Sequence, residues 1–369
     1  YGNYIFLQRL LSSAHTTGNI ASNNSTTALI MSSSDYTRWL ILIGTGLASF
    51  LGCIDFTIVN TALPAIQSSL HATVSQLQWV VNAFLLALAA TLVLAGRLGD
   101  IHGLRRVLYW GMLGFGLALL GAGCSDHISG LLFWRVIQGL STAILYTVPA
   151  ALVCAAFPAT GRGRAMGLLY AINGIGLAVG PVCGGLIVSL FSWRWVFLFN
   201  VPLIILSFSL CLPTLKPAAK APSQQLNYLA AGLLPICLAS LMVALIEGQS
   251  QGYQHWTVLS LLITSALTLW AFISTDRRSP QPLLPAYLFQ SMQYRCSVIA
   301  SSSLAFYYVC AFFFMPLYLH YVLAYNDTQI GLALLPTTAV MAALSPLIGR
   351  ATDRHGAKPM LLLGATCLM

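Results

Sequence analysis

Apolar stretches of bilayer length follow one another along this chain, and nothing constrains its fold more. They occupy 39–64, 76–96, 107–124, 131–157, 165–190, 195–214, 227–246, 257–274, 297–321 and 329–349, and a further one runs from Pro359 to Met369. About 20 apolar residues in a helix cross the hydrocarbon of a membrane, where a helix or a closed barrel alone satisfies the backbone. Hydrophobic residues form 58% of the chain and charged residues 7%, with a mean hydropathy of +0.81. A water-soluble domain of this length cannot bury that much apolar surface.

The few charges are placed by rule. With the N-terminus on the cytoplasmic side, all 17 bases but two fall in breaks on the inner side, the exceptions being Arg194 outside and Arg135 within a span. Topology therefore explains the net charge of +9 better than nucleic-acid binding does. The pattern also supports the span order, because one missed span would scatter every later base.

One short signature occurs twice. Gly96-Arg97-Leu98-Gly99-Asp100-Ile101-His102-Gly103-Leu104-Arg105 returns as Gly349-Arg350-Ala351-Thr352-Asp353-Arg354-His355-Gly356-Ala357-Lys358. Both copies sit in breaks between spans, and internal repeats in a membrane chain mark transporters built from duplicated bundles. A membrane enzyme would need a catalytic set, and none is evident. The nine cysteines form no C-x-x-C pair and read as small apolar filler, while the histidines lie apart, in the leader or at membrane edges.

These stretches carry a family resemblance. The segment from Gly96 to Arg106 resembles the loop signature of the major facilitator superfamily. Asp55-Phe56-Thr57-Ile58-Val59-Asn60-Thr61-Ala62-Leu63-Pro64 is similar to the first-helix motif of its fourteen-helix drug:proton antiporters, and Arg135-Val136-Ile137-Gln138-Gly139 to the superfamily's membrane-arginine motif. Gly176-Leu177-Ala178-Val179-Gly180-Pro181-Val182-Cys183-Gly184-Gly185 resembles the antiporter motif. The two signature copies are separated by an even run of spans, two more than a twelve-helix carrier would show, which fits two inserted helices.

The expected fold is an all-α polytopic membrane protein, a major facilitator fold of two six-helix bundles plus two inserted helices, cut short at its C-terminal end. Residues 1–37 are expected to be a polar, disordered leader, with Met31 as a more natural start. The N-terminal bundle covers 38–215, a cytoplasmic linker and the inserted pair 216–278, and an incomplete C-terminal bundle 279–369. The chain reads as a fragment of a longer protein.

A carboxylate in mid-span costs on the order of 3 kcal/mol, so Asp55 is protonated, paired or turned to a wet cavity. It either carries or senses the coupling proton, or it caps a kink in its helix or bonds a neighbour's hydroxyl. Arg135 either snorkels to the surface or, as the resemblance implies, tunes the protonation of a nearby carboxylate, with Asp55 the candidate partner. Gly176, Gly180 and Gly184, with Pro181 and Gly185 beside them, form a stripe for close helix contact. The resemblance adds that this contact seals the cavity for antiport.

Gly96, Asp100, Gly103, Arg105, Gly349, Asp353, Arg354 and Gly356 form the expected conformational latch, with Arg162 or Arg164 as partners for Asp100. Plain positive-inside topology with tight turns at Gly103 and Gly356 is the other reading. The first copy departs from the family pattern at Ile101 and Leu104, so an asymmetric latch is open. Thr57, Asn60, Trp79, Gln138 and Tyr146 are candidate substrate-cavity residues, and Phe84 and several tyrosines offer aromatic faces.

The resemblance implies a proton-coupled exporter of amphiphilic or cationic compounds in the bacterial cytoplasmic (inner) membrane, the alternative being an exporter of one metabolite or siderophore. Its partners would be the lipid bilayer, protons and the small-molecule substrate, not nucleic acid. A periplasmic adaptor is left open. No metal or cofactor is expected, the proton gradient supplying the energy.

Overall fold

The computed structural model describes residues 35–215, 227–279, 282–284, 286–325 and 327–368. The expected leader up to residue 34 and the linker bases Lys216 and Lys220 lie outside the described residues. Helices dominate, with no strand among the described residues. In chain order they are α1 (Asp35–Ile58), α2 (Leu63–Leu70), α3 (Val74–His102), α4 (Leu104–Gly123), α5 (Ile128–Ala156), α6 (Arg162–Leu190), α7 (Arg194–Leu198) and α8 (Asn200–Thr214). There follow α9 (Tyr228–Gln251), α10 (Trp256–Arg278), α11 (Met292–Tyr321), α12 (Asp327–His355) and α13 (Ala357–Leu368). Among the described residues, eight helical segments are long and apolar enough to cross a membrane. The protein is a multi-pass membrane protein.

Local chemistry sets where these helices break and start. Pro64 has no N–H for the carbonyl four residues back, and the first span loosens there into a 3-10 turn, Val59–Ala62, before α2 resumes its course. Thr73 and Gln76 form a reciprocal cap at the start of α3: the Gln76 N–H donates to Thr73 Oγ1 at 3.3 Å, and the Thr73 N–H to Gln76 Oε1 at 2.9 Å. The two signature copies build the same joint. Gly103 alone connects α3 to α4 with φ +89, and Gly356 alone connects α12 to α13 with φ +83. Both values favour glycine, which has no Cβ to clash.

The described residues form two compact units, the chain up to Gln224 together with Thr338–Met369, and Gln225–Thr337. In the first, α5 packs along α3 and α4, while α1 lies against α5, α6 and α8. Leu51, Ile58, Leu108, Phe115, Leu119, Leu131 and Phe197 fill its centre with almost no exposure. Trp110, Leu113, Leu117 and Leu120 make an exposed apolar stripe on α4, the surface a lipid-facing helix presents. A buried hydrogen bond from Ser207 to the Gly44 carbonyl at 2.7 Å ties α8 to α1.

In the second unit, α9 and α10 pack as a pair, with Ser265 donating to the Cys237 carbonyl at 3.1 Å. Asp276, buried near the end of α10, accepts the N–H groups of Leu283 at 2.7 Å and Leu284 at 3.0 Å. That carboxylate ties Leu283 and Leu284 to the end of α10.

Candidate functional site

One buried cluster concentrates the polar chemistry of the first unit. Asp55 of α1 is 0% exposed and Arg135 of α5 is 1% exposed, so neither charge reaches water or a lipid headgroup. Arg135 therefore does not snorkel. Its Nη1 donates to Asp55 Oδ2 at 2.8 Å and to Gln138 Oε1 at 2.8 Å, and Gln138 Nε2 donates to Asp55 Oδ1 at 2.7 Å. The three side chains close a ring in which each carboxylate oxygen takes one donor. Arg135 and Gln138, three residues apart, share one face of α5.

A third helix completes the site. Arg135 Nε donates to the Val80 carbonyl of α3 at 2.9 Å, and its guanidinium carbon lies 4.2 Å from the centre of the Phe84 ring. The contact is possible because Gly139 brings α5 against the Phe84 backbone, leaving no space for a Cβ. Removing either partner of a buried ion pair strands a charge, at a cost of about 3–5 kcal/mol. What the arrangement can do chemically is hold one carboxylate in two states, paired as an anion or neutral with a proton bound.

The far side of α1 makes the glycine contact. Residues two apart in a helix point about 160° apart, so Thr57 faces away from Asp55. A Cβ on Gly180 would meet Thr57 Oγ1, one on Gly184 would meet Thr61 Oγ1, and one on Gly176 would lie 2.9 Å from the Phe50 carbonyl oxygen. Residue numbers rise together on the two helices, so α1 and α6 run parallel. Pro181 is half-buried beside the stripe, and Gly185 faces open space.

The cavity candidates are divided by this geometry. Thr57 lies in the α1–α6 contact, its hydroxyl bonded to the Ile54 carbonyl at 3.2 Å, and Gln138 is in the ion-pair ring. Tyr146 shares a hydrogen bond with Cys53, Trp79 is half-buried, and Asn60 is exposed.

The signature residues gather at one end of the bundle, but the two copies behave differently. Asp353 of α12 accepts the N–H groups of Gly163 at 2.7 Å and Arg164 at 2.8 Å, capping the first turn of α6 through backbone, not through an arginine side chain. Gly349 sits buried against the Gly163 backbone. Arg354 is exposed, Arg162 half-buried, and Gly356 serves the turn. Asp100 is half-buried near Arg97 and forms no ion pair among the described residues. Gly96 has open space around it, and Arg105 Nε reaches the Tyr109 hydroxyl at 3.4 Å.

Replacing Asp353 by alanine removes the charged acceptor of two N–H groups at the start of α6, one part-buried and one exposed. We expect it to weaken the α6–α12 contact by about 1–3 kcal/mol, read as a lower unfolding temperature of the full-length protein in detergent. An unchanged unfolding temperature counts against the cap.

Comparison with known proteins places this geometry in a family. Residues 45–369 match the family model described as Major Facilitator Superfamily. The multidrug resistance protein Stp of Mycobacterium tuberculosis is 33% identical over 337 residues, 90% of this chain and 62% of that protein. The tetracenomycin C resistance and export protein of Streptomyces glaucescens is 31% identical over 328 residues, 88% of this chain and 61% of that protein. The chain thus spans less than two thirds of the length of these relatives. Among solved structures, the proton:xylose symporter XylE bound to 6-bromo-6-deoxy-D-glucose matches with a TM-score of 0.61 at 14% identity, over 89% of this chain and 71% of that one. That likeness is one of fold. A match that begins in the first span and runs to the last residue settles the family: the chain belongs to the Major Facilitator Superfamily, as a relative of its multidrug resistance and export proteins.

Proposed function

We propose that the protein works as a proton-coupled exporter of amphiphilic or cationic compounds, by alternating access, in a bacterial cytoplasmic membrane with its N-terminus inside. The observation that carries the reading is the sealed Asp55–Arg135–Gln138 ring in mid-bundle. A buried acid paired to a fixed cation serves a conformational cycle, because the proton and the cation compete for one carboxylate. In this reading the bond from Asp353 to α6 closes the cytoplasmic side, and its loss opens it. The names of the drug-resistance relatives support the substrate class.

The test is transport by the full-length protein in sealed vesicles under an imposed pH gradient. Ethidium and tetraphenylphosphonium form one arm of the panel, and metabolites and a siderophore the other. Gradient-dependent movement of the lipophilic cations is expected. Movement of a single metabolite with none of the cations would replace this reading by the narrower exporter.

A further inference from the structure

We propose that Phe84 and the Val80 carbonyl form a cradle on α3 that holds Arg135 in place whichever form Asp55 takes, so that the coupling proton releases α1 and leaves α5 docked. The proposal rests on the proton-coupling reading above and names which helix that reading sets free.

When Asp55 takes up a proton, the ionic part of its bond to Arg135 is lost. Arg135 still has the Val80 carbonyl at 2.9 Å, Gln138 Oε1 at 2.8 Å and the Phe84 face at 4.2 Å, all supplied by α3 and α5. Asp55 is the ring's sole contribution from α1. A guanidinium over an aromatic face in a dry site is held by the ring quadrupole as well as by its hydrogen bonds. Phe84 is 0% exposed, so the contact is fully desolvated.

The cluster is electrically simple. Among the described residues, the charged side chains that face it are Asp55 on α1 and Arg135 on α5, and the α3 segment beside it, Val80–Ala87, carries none. Cys53 of α1 and Tyr146 of α5, both titratable, share a hydrogen bond with each other. On α6, which packs against the opposite face of α1, Cys183 is the titratable residue of the glycine stripe, and α4 meets α5 from outside the ring. Phe84 is thus a positioning residue that acts through Arg135.

The test uses the full-length protein in vesicles and reads the pH at which proton-driven transport is half-maximal. Phe84→Leu removes the ring and lets the guanidinium drift from the carboxylate, which then needs less acid to take its proton. The midpoint should rise by about one pH unit, about tenfold in proton concentration. Phe84→Tyr and Phe84→Trp, which keep an aromatic face, should stay at the native midpoint. Phe84→Met, which fills the space without a ring, should shift like leucine and stands in if the leucine protein does not insert.

A native midpoint in Phe84→Met or an inserted Phe84→Leu would overturn the cradle, as would an equal shift in Phe84→Tyr. Asp55→Asn is the control that separates the two ideas. If it retains pH-driven transport, the coupling reading itself fails; if it loses transport while Phe84→Met keeps the native midpoint, the cradle alone fails.

Discussion

Asp55→Asn is expected to lower pH-driven efflux by the full-length protein about 100-fold or more, while the protein still inserts and binds substrate. An amide has nearly the shape of the carboxylate but cannot exchange a proton, and losses of this size follow when a transfer step loses its acid–base group. Its oxygen can still accept from Arg135 or Gln138, yet its NH2 group must face one of their donors, so one bond of the ring is lost. Arg135 is also left as a buried cation without its counter-ion, which lowers stability. Binding and thermal unfolding must therefore be measured beside transport. Undiminished pH-driven efflux by an intact Asp55→Asn protein would remove the coupling role.

Gly180→Leu is expected to prevent accumulation of folded protein or to lower its unfolding temperature sharply. A Cβ at Gly180 already meets Thr57 Oγ1 and lies 3.0 Å from Thr57 Cβ, so the rest of a leucine has nowhere to go without parting α1 from α6. Overpacking in tight contacts costs about 1–3 kcal/mol and sometimes more. Two controls make the expectation specific. Gly185→Leu, five positions along the same helix in open space, should be close to neutral. Thr57→Ala removes the atom first met and should partly restore a Gly180→Ala protein. Equal stability of the leucine variants at 180 and 185 would show that the two helices do not meet as described.

The span pattern was legible because length and apolarity are properties of a single stretch of chain. The helices overrun the apolar runs, α3 reaching His102 where the apolar stretch ends at 96, because backbone hydrogen bonding continues past the last apolar side chain. The partnership of Asp55 with Arg135 was readable for a related reason: acids and bases are so scarce in the spans that few pairings exist. Burial of Gln138 in that ring follows from its i, i+3 relation to Arg135, which the motif displays, yet the motif cannot say whether the amide faces a cavity or the acid.

Other contributions leave no mark in sequence. The Val80 carbonyl and the N–H groups of Gly163 and Arg164 are backbone atoms, the same at every position, and only three-dimensional approach selects them. Phe84 looks like any aromatic in a span until Gly139 is seen to draw α5 onto its backbone. Thr57 could have faced a cavity or a neighbour, and the glycines opposite decide it.

The hydroxyls along α1 bear on how such a bundle could rearrange. Thr57 of α1 and Thr61 of the 3-10 turn after it give their protons to the Ile54 and Ile58 carbonyls of α1, and so neither is left to bridge toward α6. At Thr57 and Thr61 the seam between α1 and α6 is in that respect like a dry bearing: sliding there breaks dispersion contacts and orphans neither hydroxyl. On its other side the same helix is fastened by charge. A single rod with one slippery flank and one locked flank has a preferred direction of travel once the lock is undone.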